Sequence, residues 1–194
     1  MNNNKTIFFI LGILQIILGF FMIFPIIIQF IYNEFDSTFV SSGLITIIVG
    51  VLFCLANLDQ NKKINLQQAF LLTSLSWISI AVFGSLPFIF SNINLSFSDA
   101  FFESMSGITT TGSTVIDNLL ITPKGILLWR AILQWLGGIG IVLMAITLMP
   151  LMKIGGMQLF KIDSGDFSEK ILPKTREIAI RIFLIYLFLT MLCL

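Results

Sequence analysis

The sequence predicts an all-α membrane protein: transmembrane helices with one re-entrant pore helix–filter loop between two of them. Three observations carry this. The chain is 57% hydrophobic, 11% charged and holds 20 Phe, where soluble domains are about a quarter charged. Its apolar runs are long enough to cross a bilayer and are joined by short polar turns. Between the third and fourth runs lies Ser96–Ile116, SFSDAFFESMSGITTTGSTVI, whose second half is Thr, Ser and Gly. Irregular backbone at membrane depth is tolerated only where it is buried in protein or lines a watery cavity.

Composition also excludes function classes. The net charge of +1 and the absence of a basic tract clear of the membrane edges give no sign of a nucleic-acid partner. With no histidine in the chain, the commonest general base and metal ligand is missing. No Ser stands beside a plausible base, so an enzyme is not expected. Cys54 and Cys193 both lie in apolar runs and read as small hydrophobes.

The runs follow in order. Ile7–Ile31 spans roughly 37 Å as a helix, enough to cross with some tilt. It outlasts a signal-peptide core and no A-x-A site follows, so it reads as a retained first span. Phe39–Leu58 returns, Asp59–Lys63 is a loop with a Lys pair, and Leu66–Phe90 is a third span with Pro87 near its end. Gly125–Met152 is the fourth. Lys153–Arg176 is charged and amphipathic, and a fifth apolar run starts at Ile178. The expected parts are two leading helices (1–63), a helix–pore loop–helix repeat (64–152), a cytoplasmic connector (153–177) and the start of a second repeat (178–194).

With the N-terminus cytoplasmic, nine of the eleven Lys/Arg lie inside and only Lys124 and Arg130 outside, as the positive-inside rule prefers. Glu34, Asp36, Asp99, Glu103 and Asp117 then lie on or near the outer side, where acids raise the local cation concentration. For Glu34 and Asp36 an ordinary solvated loop is an equal reading.

Ser96-Phe97-Ser98-Asp99 fits a capping box with Ser96 as N-cap. A helix from Phe97 to about Ser106, closed by Gly107, would be roughly 15 Å long, half a bilayer. Its C-terminal partial charge would favour a cation at the membrane centre. The residues after it, Thr109, Thr110, Thr111, Gly112 and Ser113, can turn backbone carbonyls toward an alkali ion, with Gly112 supplying the freedom for unusual φ/ψ. As TTTGST is also an ordinary polar turn, periodicity alone leaves both readings open. Arg130 can snorkel to the interface or pair with Asp117 or Glu103. Trp129 and Trp135 suit an outer aromatic belt or packing near the short helix. Gln134 needs a polar partner at depth. Gly137, Gly138 and Gly140 permit either close helix approach or a bend.

The run SWISIAVFGSLPFIFS…SFSDAFFESMSGITTTGSTVI…LLWRAILQWLGGIGIVLMAITLMPLMKIGGMQLF resembles the potassium-uptake superfamily of the Trk and Ktr type, specifically its Trk membrane subunits, over nearly the whole chain. The resemblance implies two leading helices followed by four helix–pore loop–helix repeats around one pore. It places K+, the transported substrate, at Thr110, Thr111 and Gly112 within a selectivity filter of Thr109 to Ser113. Asp99 and Glu103 become outer-vestibule and pore-helix residues, with Arg130 and Gln134 structural neighbours of the pore. It implies no covalently bound cofactor. The partners are membrane lipid, the three remaining repeats, a second full-length subunit in a homodimer and a cytoplasmic nucleotide-binding regulatory ring. The location is a bacterial inner membrane, multi-pass. Against that pattern the chain holds the leading pair and the first repeat. It is expected to be the N-terminal part of such a subunit; the alternative is a non-conducting truncated assembly or regulatory module packing with a full-length subunit.

Overall fold

The computed structural model describes residues 5–58, 66–152 and 167–193. Eight helices account for nearly all of them: α1 Lys5–Phe21, α2 Ile23–Ile31, α3 Thr38–Ala56, α4 Leu66–Gly84, α5 Leu86–Phe90, α6 Phe97–Ile108, α7 Lys124–Met152 and α8 Phe167–Leu192. Among the described residues, four segments are long and apolar enough to cross a membrane: Lys5–Ile31, Thr38–Ala56, Gln67–Phe90 and Lys124–Met144. The first expected span is thus two helices broken at Met22, and the third is α4 plus α5, broken where Pro87 cannot donate an amide. The Lys62–Lys63 loop and residues 153–166 of the expected connector lie outside the described residues. The apolar run expected from Ile178 is the second half of α8, which already begins at Phe167.

The chain forms two compact units, Met1–Gly137 and Gly138–Leu194. In the first, α1 and α3 run antiparallel along a seam of glycines. A Cβ on Gly12 would stand 2.6 Å from the Gly50 carbonyl oxygen, and one on Gly50 would stand 2.8 Å from that of Gly12. Seven residues (about two turns) away, Gly19 faces Gly43 and Ile47. Backbones this close gain dispersion contacts that side chains would prevent, which is the main attraction left between helices in lipid. The outer faces carry large exposed apolar side chains, among them Ile13, Ile17, Phe20 and Phe24 on the first span and Leu44, Ile48, Leu52 and Leu55 on α3. In lipid such a face carries no penalty.

Several polar side chains inside the spans find partners. Gln15 is fully buried and donates from Nε2 to Ser79 Oγ at 2.6 Å, tying α1 to α4. Ser42 and Thr46 return their hydroxyls to the carbonyls four residues back. At the end of α2, Asn33 takes φ 55° and Glu34 N–H reaches back to Gln29 O at 2.9 Å, the six-to-one closure of a Schellman turn. Glu34 then accepts from Lys124 N at 2.9 Å and Asp36 from Thr38 N at 2.8 Å. Both loop acids therefore sit on helix N-termini, where negative charge is favoured.

The core lies where five helices meet. Leu18, Met22, Phe39, Phe88, Ala100, Ile126, Trp129 and Leu133 are all nearly or fully buried there. Trp129 sits edge-on to Phe39 at 6.2 Å between ring centres. Its indole N–H donates to Gly84 O at 2.9 Å, satisfying the carbonyl where α4 stops. Trp129 is therefore packing, not belt. This core forms the socket that holds α6.

In the second unit, the C-terminal part of α7 meets α8 at Gly138. A Cβ there would lie 2.7 Å from the Tyr186 hydroxyl oxygen, while Gly140 has nothing within 4 Å. Helix α7 continues unbroken through all three glycines.

Candidate functional site

Helix α6 opens with the expected capping box. Ser96 Oγ accepts from Asp99 N–H at 3.2 Å and donates to Asp99 Oδ2 at 2.6 Å. The helix has 12 residues, about 18 Å at 1.5 Å per residue. It ends later than the sequence reading placed it. Gly107 is still helical, because its missing side chain is needed for packing: a Cβ would stand 3.0 Å from Leu133 Cβ. The left-handed residues come afterwards, Thr110 at φ 59° and Gly112 at φ 78°. A Thr in that region costs roughly 1–2 kcal/mol, so the surrounding bonds must hold it.

Those bonds come from the end of α6. Thr109 N–H donates to Met105 O at 2.9 Å, Thr110 N–H to Gly107 O at 2.9 Å, Thr111 N–H to Ser106 O at 3.0 Å, and Gly112 N–H to the same oxygen at 3.3 Å. Four successive amides are thus turned toward the helix. The carbonyls of Thr109, Thr110, Thr111 and Gly112 accept no hydrogen bond among the described residues. Ser113 differs, since its carbonyl accepts from Ser106 Oγ at 2.7 Å. The hydroxyls of Thr109 and Thr111 lie 2.9 Å apart. From Thr110 to Val115 the segment is exposed on the surface of this chain.

Beyond Ser113 the segment is anchored by Glu103. This residue is 1% exposed. Its Oε2 accepts from Thr114 Oγ1 at 3.1 Å and from Val115 N–H at 3.0 Å, and its Oε1 faces Arg130 Nε in an ion pair. Of the two acids expected as partners for Arg130, the structure places Glu103 there. Asp99 is half-buried at the helix start, and with Val115, Asp117 and Asn118 it lines an open cavity of about 650 Å³. Gln134 stands beside the glycine of the segment, with its Nε2 3.3 Å from where a Cβ on Gly112 would be.

Two relationships had no reading in the sequence. The Ile108 carbonyl lies against Gly137, and Ser106 grips the Ser113 carbonyl. Only the glycines of LGGIG hinted at the first, and nothing in one Ser among many marked the second.

The fold and this arrangement define a multi-pass helical membrane protein that sets a short capped helix and a Thr–Gly turn between two spans. The chain belongs to the TrkH family of cation transport proteins, whose family model matches residues 35–194. It is 39% identical over 184 residues to the Trk system potassium uptake protein TrkI of Halomonas elongata, covering 94% of this chain and 37% of that protein. It is 36% identical over 188 residues to the Trk system potassium uptake protein TrkH of Escherichia coli K12, covering 95% and 39%. Among solved structures, the crystal structure of the potassium transporter TrkH from Vibrio parahaemolyticus superimposes with a TM-score of 0.82 at 33% identity, over 98% of this chain and 38% of that one. The chain therefore spans well under half the length of these relatives.

Proposed function

We propose that this chain supplies the first filter-bearing repeat of a potassium-uptake membrane subunit. In this reading α6 is a re-entrant pore helix, and Thr109–Ser113 is one quarter of a filter through which K+ moves inward. The observation that carries it is the run of four carbonyls, Thr109 to Gly112, that accept no hydrogen bond among the described residues and whose amides are all tied back to α6. An alkali cation needs several oxygens to replace its water, and this backbone has them without breaking a hydrogen bond of its own. The names of the relatives support potassium as the ion.

The parts divide as two leading spans (1–63), the filter repeat (64–152), a connector (153–177) and the opening of a further repeat (178–194). The N-terminus is cytoplasmic, the membrane is the bacterial inner membrane, and Asp99 lies in the outer vestibule. One such segment cannot enclose an ion, so three others must complete the ring. A second subunit and a cytoplasmic nucleotide-binding ring are the family's expected partners.

The test is uptake by the complete reading frame that carries these residues, expressed in a bacterium lacking its own potassium uptake. Potassium-selective uptake is expected, and Gly112→Ser should reduce the preference for K+ over Na+. A Cβ at φ 78°, 3.3 Å from Gln134 Nε2, would shift the neighbouring carbonyls. Unchanged selectivity in that variant would sink the filter reading. Absence of any uptake, with the protein in the membrane, would favour a non-conducting packing module instead.

A further inference from the structure

Glu103, expected on or near the outer side as a vestibule and pore-helix residue, is almost fully buried, and its charge is answered by Arg130. A buried, paired carboxylate adds little to the field in an outer vestibule. Its surroundings point to different work. One oxygen takes two donors from the segment just past Gly112: the Thr114 hydroxyl and the Val115 amide. Thr114 Oγ1 in turn accepts from Ile116 N–H at 3.0 Å. The other oxygen is held by Arg130, which belongs to α7. Three consecutive residues of the outgoing limb thus hang on one carboxylate, and that carboxylate is fixed between two helices. On the incoming side, the amides of residues 109–112 hang on α6.

We infer that the Glu103–Arg130 pair is a positioning device that sets ion selectivity by clamping Thr114–Ile116, and so fixes the carbonyls of Thr109–Gly112 from their far end. The inference rests on the filter reading above. Arg130 does not meet the ion; it acts through Glu103. Without Arg130 the carboxylate is a buried uncompensated charge, which rearranges or draws in water. Without the carboxylate, Val115 N–H loses its acceptor and the outgoing limb is free to move. A filter whose carbonyls can move coordinates the smaller Na+ nearly as well as K+.

The experiment compares Glu103→Gln, Arg130→Gln and the double variant Glu103→Gln/Arg130→Gln, the last keeping both side chains polar without an isolated buried charge. Two readouts are used. The first is hydrogen exchange of the Thr114–Ile116 amides in the purified chain in detergent. Exchange should rise about tenfold in Glu103→Gln, whose neutral amide oxygen is a weaker acceptor for Val115 N–H than the carboxylate it replaces. The second is the K+/Na+ uptake ratio of the complete reading frame at matched membrane abundance. It should fall about tenfold in each single variant. The double variant should be no worse than the worse single, because the two residues act as one unit. A purely structural role would lower abundance and leave the ratio unchanged. Unaltered exchange at Val115 overturns the clamp whether or not the protein transports potassium. An unaltered ratio, or losses that add in the double variant, overturns its role in selectivity. Failure of the wild type to transport would count against the filter reading, and the exchange measurement would still decide the clamp.

Discussion

The carbonyl oxygen of Ile108, the last residue of α6, lies where a Cβ on Gly137 would have to go. No side chain fits there, and the obstructing atom is backbone, so it cannot rotate away. The end of the short helix is seated in a notch on α7, and Thr109–Ser113 starts from that seat.

Replacing Gly137 by Ala therefore sets two effects against each other. Ala gains about 0.8–1 kcal/mol in helix propensity over Gly. The overlap forces α6 outward, and overpacking of this kind costs about 1–3 kcal/mol or more. Because the obstructing atom is backbone and cannot move aside, the overlap wins. The purified chain should lose about 2 kcal/mol of stability in thermal or denaturant unfolding. Gly140→Ala, with nothing within 4 Å, should be neutral or stabilised by up to about 1 kcal/mol. Equal behaviour of the two variants would show that the notch does not matter.

Trp129 gives a second prediction. It is fully buried, and its N–H is the partner of the Gly84 carbonyl at the α4–α5 break. Trp129→Phe keeps most of the ring volume but leaves that carbonyl unpaired, at a cost of about 1–3 kcal/mol. Trp129→Ala adds a cavity and should cost about 3–5 kcal/mol. Unfolding midpoints in one detergent would check the order: wild type, then Phe, then Ala.

The α1–α3 seam predicts unequal tolerance among its glycines. A Cβ on Gly43 would meet the Gly19 carbonyl at 3.6 Å, an ordinary contact, whereas one on Gly50 would meet the Gly12 carbonyl at 2.8 Å. Gly43→Ala should be accepted. Gly50→Ala should part the helices at that level and lose about 1–3 kcal/mol. Unfolding of the two variants in the same mixed micelle distinguishes them; a larger loss in Gly43→Ala would contradict the seam as described.

Much of this was readable beforehand because bilayer physics narrows the choices. Spans of about 20 apolar residues announce themselves, and so did the Ser96–Asp99 cap, which is a local hydrogen-bond pattern four residues long. The misplaced end of α6 is instructive. Gly107 looked like a helix terminator, since Gly tolerates left-handed φ. Its job is instead to let Leu133 approach, and the left-handed turn falls on Thr110 and Gly112. Sequence cannot separate a glycine kept for φ from one kept for space. The seam is hidden for a related reason: Gly12 and Gly19 meet Gly50 and Gly43 only once α1 and α3 are packed together.

By itself, then, the sequence determined a membrane-embedded helical chain, the half-length helix and the Thr–Gly segment after it, because hydropathy, capping and length act within a few neighbouring residues. Only the tertiary structure decided which acid Arg130 meets, that Glu103 is buried and not facing solution, and that the Ile108 carbonyl needs Gly137. Those depend on which faces of helices far apart in the chain are brought together, and only packing settles that.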